Sequence, residues 1–573
     1  MLPLLALVVV ALLVVGYVSY GRLVAGQFGL DDARRTPAHT QADGVDFEPT
    51  APGYLLGQHF SAIAAAGPIV GPVLACQQFG WAPCLLWIVL GCVLIGAVHD
   101  LSSLVASIRH GASSVAEVVR QQLSPRAWAA FLAFIWLALV YVIVAFTDVT
   151  ASTFLGRIEE LEGVQVQFEQ GGAVALAAVC YLLLAVVMGL VQRFLRPPLW
   201  ALTLVFVPLA FGTVLLGTRC STLLVLAGSN PKLVWGVIIL GYCFLASLLP
   251  VWLLMQPRGY LGGFVLYVVL GVSVVGILRG GFTVEQPAFV GVVAPVGTFP
   301  ATLLFPFLFV TIACGACSGF HGLVCSGTTS KQLDKESHCR PVAYGGMLLE
   351  GFVALIALTT VMIVVPGKGG PPGAIYGRGI GEYVCQLPLV GREHLLAATV
   401  FGSMAFSTFV FDTLDVATRL GRHIVQELLG RRSPAWSLLA TAATVGVPLL
   451  FVLGADPARK AYMDYWTLFG ASNQLLAALT LLGITVWLKR TGRPAWFTAL
   501  PCAFVLVVTV SALGLIAWSG LRQGTSAGLA PLINAGVALV LIGLAGLLGV
   551  EAALALGRAG AGERAAAPAE ATA

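Results

Sequence analysis

Apolar residues run along this chain in stretches of roughly 20, separated by short polar or Gly/Pro-rich segments. A hydrocarbon core about 30 Å thick takes roughly 20 helical residues, so each stretch predicts a membrane-spanning helix. About fifteen qualify: 2–20, 58–79, 82–106, 126–154, 172–192, 198–217, 232–255, 260–279, 302–328, 342–365, 393–418, 435–453, 464–488, 495–518 and 529–556. The bilayer leaves a backbone no water to bond, which permits only helices or a closed barrel, and these runs are continuous rather than alternating. The predicted fold class is an all-α polytopic membrane protein.

Composition narrows the function. The 573 residues are 58% hydrophobic and 10% charged, with mean hydropathy +0.93, far too few charges to cover soluble cores of this size. Soluble enzymes, nucleic-acid binders and secreted scaffolds are excluded. The excess of 31 Lys and Arg over 26 Asp and Glu is too small to imply a polyanionic partner, and the 12 Cys sit mostly inside apolar runs, as reduced residues do. No Lys or Arg precedes Arg22 and no small-residue cleavage site follows, which favours a retained first span over a cleaved signal peptide. The longest loops, 21–57 and 366–392, are too short for a catalytic domain, and no phosphate-cradling Gly-x-x-x-x-Gly-Lys-Ser/Thr motif marks a primary pump. The expectation is a multi-pass membrane transporter, not an enzyme, with no cofactor and no bound metal.

Basic residues orient the spans, because short cytoplasmic loops retain them. Arg109, Arg120 and Arg126 share one loop; Arg193 with Arg196, Arg258, Lys331 with Lys335 and Arg340, Arg431 with Arg432, and Lys489 with Arg490 and Arg493 fall in every second loop after it. The intervening loop 156–171 is acidic, with Glu159, Glu160, Glu162 and Glu169, and only Arg459 with Lys460 run against the alternation. This places 21–57 and the C-terminus in the cytoplasm. The expected organisation is a first span and cytoplasmic loop (1–57), two halves with accessory helices (58–301 and 302–556) and a disordered Ala-rich tail (557–573).

Two spans carry interruptions that a lipid-facing helix would not tolerate: Gly67-Pro68-Ile69-Val70-Gly71-Pro72 and Cys314-Gly315-Ala316-Cys317-Ser318-Gly319. Unwound backbone at that depth must be buried in protein or line a cavity, where half-helix ends present their dipoles to a ligand. Both segments are expected to be non-helical and to face each other, although a proline kink or close glycine packing would also explain either one. Asp148-Val149 lies two spans after the first break and Asp415-Val416 two spans after the second, an odd helix offset that predicts an inverted repeat.

Five blocks in order resemble the carbon starvation protein A family: Gly57-Gln58-His59-Phe60, Gly67 to Pro72, Gly96-Ala97-Val98-His99-Asp100, Ser318-Gly319-Phe320-His321 and Ser326 to Gln332. Ala65 and Ala66 stand where the pattern has glycine. The resemblance implies a leucine-transporter-like fold, a five-plus-five inverted repeat similar to that of the amino-acid/polyamine/organocation superfamily. It also implies a transporter of the bacterial inner membrane that takes up a small nutrient under nutrient limitation, with pyruvate by proton symport as the first reading and short peptides as the runner-up. A membrane nutrient sensor that binds without transporting is the competing class.

Ionisable groups inside a bilayer are costly and therefore candidates for function. For proton coupling these are His99, Asp100, Asp148, Glu350, Asp412 and Asp415, with His59 and His321 at the two broken spans. Asp148 has no cation within a helical turn, whereas Asp415 has Arg419 four residues on and Asp100 lies near Arg109. A substrate carboxylate is expected at backbone amides around Gly67, Ile69, Val70, Gly71 and Val73, and around Gly315, Ser318, Gly319, Phe320 and His321. Ser407 and Thr408, with carbonyls of the first break, would make a sodium site as the secondary mechanism.

Overall fold

The computed structural model describes residues 1–43, 47–64, 66–155, 168–293, 303–368, 370–388, 390–431, 433–454, 461–524 and 529–566. Glu159, Glu160, Glu162, Arg432, Arg459, Lys460 and Ala65, used above, lie outside them. Besides the short helices Pro37–Thr40 and Val115–Gln122, the helices of the first half are α1 (Leu2–Gln27), α2 (Pro52–Ile63), α3 (Gly67–Phe79), α4 (Trp81–Arg109), α5 (Pro125–Thr153), α6 (Gln170–Phe194), α7 (Leu199–Arg219), α8 (Pro231–Leu248) and α9 (Met255–Arg279). The second half contributes α10 (Leu304–Thr311), α11 (319–332), α12 (Glu336–Met362), α13 (Pro372–Val384), α14 (Leu395–Leu429), α15 (Pro434–Leu453), α16 (Ala461–Arg490), α17 (Trp496–Gln523) and α18 (Leu529–Ala566). Among the described residues the only β pairings are two isolated bridges.

Thirteen of these helices are long and apolar enough to cross a membrane, and α2 with α3, bent by 49°, makes a fourteenth span. The chain is therefore a multi-pass, all-helical membrane protein. The fifteenth expected span, 302–328, is the short helices α10 and α11 flanking non-helical 312–318. Span ends follow local chemistry. Ser124 accepts a hydrogen bond from the Ala127 amide while Pro125 opens α5, and Gly430, at φ 64°, closes α14 in the left-handed conformation. Several boundaries differ from expectation: α2 starts at Pro52, α14 runs on to Leu429, and the expected loop 366–392 contains the buried helix α13. The run 232–255 ends as helix at Leu248, so Arg258 lies in the first turn of α9 rather than in a loop. The last helix runs on to Ala566, past the expected start of a disordered tail at 557.

Burial sorts the spans into two shells. In α16, 94% of the apolar 18-residue stretch is buried in protein, and in α12 and α14 83%, against 28% in α1, α7, α15 and α18. The outer helices expose Leu, Val and Phe to lipid, as Leu204, Leu215, Leu450 and Val550 do. The enclosed helices form a core around the two breaks.

Candidate functional site

The first break lies earlier than the glycine-proline run suggested. Helix α2 ends as Ala64 turns to ψ 60°, and α3 begins at Gly67, so Gly67 to Pro72 is helical, not unwound. The reason is proline position. Pro68 occupies the second helical residue, where its missing N–H forfeits no bond and its fixed φ suits the helix, and Pro72 removes only one bond further on. The amides of Ile69 and Val70 donate to the Ala66 carbonyl at 3.1 and 3.0 Å, and Gly71 and Val73 lie in the following turns. These amides, expected to hold a substrate carboxylate, belong to the helix.

The second break is where it was expected. Gly315 and Ser318 lie in the non-helical segment, and Gly319, Phe320 and His321 open α11. Asn473 on α16 holds this segment: its side-chain oxygen accepts from the Phe320 amide at 3.0 Å, and its nitrogen donates to Ser318 Oγ at 3.1 Å. The Phe320 amide is thus already satisfied. The breaks meet through glycine: a Cβ on Gly67 would overlap Cys314, one on Gly71 would stand 2.5 Å from the Thr311 carbonyl, and one on Gly319 would overlap the Asn473 carbonyl. Each of these approaches needs hydrogen in place of a side chain. As the chain is folded here, the breaks are packed against each other.

Beside that contact four ionisable groups form a chain at the centre of the core. His99 Nδ1 lies 2.8 Å from Asp100 Oδ1, Asp100 Oδ2 lies 2.9 Å from His321 Nδ1, and His321 Nε2 lies 2.8 Å from Glu350 Oε2. All four side chains are at most 1% exposed. The last approach is close without hydrogen-bond alignment, and the other Glu350 oxygen and His99 Nε2 have no partner. Each contributing helix contains a π turn near its ionisable residue: Cys92–Gly96 before His99, Cys325–Thr329 after His321 and Arg340–Tyr344 before Glu350. Such turns are rare and concentrate at functional sites, because the extra residue re-aims the side chains on either side. His59 is off this chain, bonded through Nδ1 to Thr329 Oγ1 at 2.9 Å and packed on Gly346, one turn from Glu350.

The model of the family described as carbon starvation protein CstA matches residues 3–371 and 369–512. This chain belongs to the CstA family. Among its relatives, a peptide transporter CstA of Helicobacter pylori is 34% identical, covering 86% of this chain and 79% of that one. The pyruvate/proton symporter BtsT of Escherichia coli is 31% identical, covering 88% and 80%. Similar solved structures include a mutant of the Eremococcus coleocola manganese transporter (TM-score 0.45, 13% identity, 88% of this chain and 96% of that one) and MhsT in complex with L-phenylalanine (TM-score 0.46, 13% identity, 87% and 98%). The relatives are transporters, not enzymes.

The other candidate aspartates of this CstA-family chain, Asp148, Asp412 and Asp415, are held by cations far away in sequence. Asp148, which has no cation within a helical turn, pairs with Lys232 at 2.9 Å, at the start of α8. Asp415 does not pair with Arg419, whose guanidinium donates instead to the carbonyls of Ala246 and Leu249 at 3.1 and 2.7 Å. Asp412 and Asp415 both grip Arg258, which is 1% exposed, and the Tyr242 hydroxyl donates to Asp415 at 2.7 Å. Arg258, taken from sequence as a cytoplasmic loop cation, is thus an interior charge. A buried guanidinium demands such partners, and two carboxylates meet the demand. Asp100 likewise sits in the buried chain, not beside Arg109, which pairs with Glu336. Ser407 and Thr408 donate to the carbonyls of Ser403 and Met404, each at 3.0 Å, which commits both hydroxyl protons to their own helix and leaves the oxygen lone pairs free. Sequence reasoning passed over Lys232, Tyr242 and Asn473; only the intramembrane amide of Asn473 carried a signal, as a polar group with no local partner.

Proposed function

We propose that this chain is a secondary transporter that couples a small carboxylate-bearing nutrient to protons, with the proton held by His99, Asp100, His321 and Glu350. The observation that carries this reading is the continuous buried chain from His99 to Glu350 across α4, α11 and α12, beside the contact of the two breaks. A neutral imidazole has one N–H and a protonated one has two. His321 has a carboxylate at each ring nitrogen, so a proton gained from one side can leave from the other. Net charge in this enclosed place is expensive, so a substrate carboxylate entering beside the chain favours an added proton, and the two bind together. His321 rides on α11, which continues the second break. Parting the breaks to admit substrate would therefore change the distances from His321 to Asp100 and Glu350. Asp148 with Lys232 and Asp412 and Asp415 with Arg258 are, on this reading, structural pairs.

For substrate we place short peptides first, in line with the names of the relatives in Helicobacter pylori, Campylobacter jejuni and Bacillus subtilis. Pyruvate, favoured from sequence and named in one Escherichia coli relative, is the second reading. We also propose that 58–217 and 302–488 form the two inverted repeats. The test is uptake into proteoliposomes under an imposed pH gradient with labelled dipeptides and pyruvate, and with sodium as a separate arm. Accumulation above equilibrium that disappears in Glu350→Gln supports the reading; binding without accumulation returns the sensor.

A further inference from the structure

A second cluster of charge, outside the buried chain, surrounds a pocket of about 510 Å³ at the ends of α4 and α16, the end that loop charge assigns to the cytoplasm. Arg34, Arg35, Arg109 and Arg493 line it against one carboxylate, Glu336, with Trp487 on the wall. Glu336 is already shared: Arg34 reaches it at 3.2 Å, Arg109 at 3.0 Å, and the Asp31 amide at 2.9 Å. Among the described residues neither Arg35 nor Arg493 has a carboxylate within 4.0 Å. Arg493 is turned inward to donate to the Phe28 carbonyl, and burial, followed by neighbouring Arg109 and Arg34, holds its pKa below the ordinary range. Cations that merely obey the positive-inside bias stand apart in water. These face one concavity with an excess of three positive charges, a repulsive arrangement unless an anion enters.

We propose that this pocket binds a small soluble anion through a carboxylate or phosphate group, a site separate from the buried chain and not dependent on the transport reading. Guanidinium forks match both groups bidentately, and the pocket volume lies in the range of small-molecule sites. A soluble ligand is favoured over a lipid headgroup by position. The helices that end here, α4, α12 and α16, have 56%, 83% and 94% of their apolar 18-residue stretches buried in protein, so the pocket opens beneath the core rather than at the lipid-facing shell.

The probes are inorganic phosphate and pyruvate, titrated calorimetrically at constant ionic strength into the purified full-length chain in nanodiscs, against chloride as blank. Saturable binding of either, weakened about tenfold or more by the double change Arg35→Gln with Arg493→Gln, is expected for forked contacts. Arg35 is exposed and has no carboxylate within 4.0 Å among the described residues, so Arg35→Gln alone keeps the fold and should weaken binding severalfold. Phosphate alone would make the ligand a phosphorylated metabolite, and pyruvate alone a carboxylate near the release side, both within the proposal. Affinity unchanged in both variants overturns it, as does loss of binding when the nanodisc lipid is changed from zwitterionic to phosphatidylglycerol.

Discussion

Asp415 and Asp148 are both aspartates within a transmembrane helix, and their surroundings separate the outcomes of the same substitution. Asp415→Asn takes one of two carboxylates from an arginine that is 1% exposed, and removing a partner from a buried pair costs about 3–5 kcal/mol. Had Asp415 paired with Arg419 along its own helix, the loss would have been a few tenths of a kcal/mol. A large drop in thermal midpoint is therefore expected for Asp415→Asn and a smaller one for Asp148→Asn, whose partner Lys232 is 20% exposed. Proton-driven uptake should survive Asp148→Asn; its collapse with folding intact would return the proton to that residue. Outside the membrane, Asp32 accepts from the Ser337 amide and hydroxyl at 2.9 and 2.8 Å, and the amide bond, ahead of the hydroxyl, holds its carboxyl below the usual range. A lowered folded pKa contributes stability that is present above the ordinary aspartate value and lost as pH falls through the lowered one. Protection factors in 28–36, which divide out the intrinsic pH dependence of amide exchange, should thus fall below about pH 4 and stay flat between about pH 6 and 8.

At the scale of elements, the two breaks depend on different devices. The second is held by one side chain, and Asn473→Ala would leave the buried Phe320 amide and Ser318 hydroxyl without it. About 1–3 kcal/mol of stability should go, read as a lower thermal midpoint. The first is held by glycine contacts. Gly71→Ala places a methyl 2.5 Å from the Thr311 carbonyl, an overpacking that costs typically about 1–3 kcal/mol where backbone must move. If the breaks part during transport, Gly71→Ala should also raise the accessibility of Cys314 to a thiol reagent, whereas a change in midpoint alone would show the contact to be static packing. Helix α8 links the two ion-paired regions. Lys232 and Tyr242 are ten residues apart on it, about 15 Å along the axis, so Asp148 and Asp415 are tethered at separate depths.

Across the whole molecule, the enclosed shell holds the breaks and the buried chain from His99 to Glu350, to which we assign the proton, and the exposed shell supplies apolar surface to lipid. Coupling is a property of that whole. Glu350→Gln keeps shape and removes a titratable group, so gradient-driven accumulation should fall by about a hundredfold while exchange of substrate at equal pH persists. Equal loss of both would show Glu350 to be a folding residue. The proposed inverted repeat makes a geometric prediction at this scale: rotating 58–217 by about half a turn about an axis in the membrane plane should bring it onto 302–488.

Fold class, membrane location and most spans were decided by hydrophobic length, because the bilayer imposes one thickness on every crossing and the backbone admits one local solution. His99, Asp100, His321 and Glu350 stood out as candidates for the same reason, each being costly inside lipid. What sequence could not decide is which of the ionisable residues meet. The Glu350–His321 approach spans 29 positions, the His321–Asp100 contact 221, and the Arg258–Asp415 pair 157. Whether an intramembrane acid carries a proton or neutralises a cation is set by which helix lies beside it, and helix packing depends on contacts with no trace in local periodicity. The same limit explains the first break: glycine and proline mark where a helix is weak, but only the close approach of Gly67 to Cys314 and of Gly71 to Thr311 shows that α3 stays helical and turns those glycines to packing.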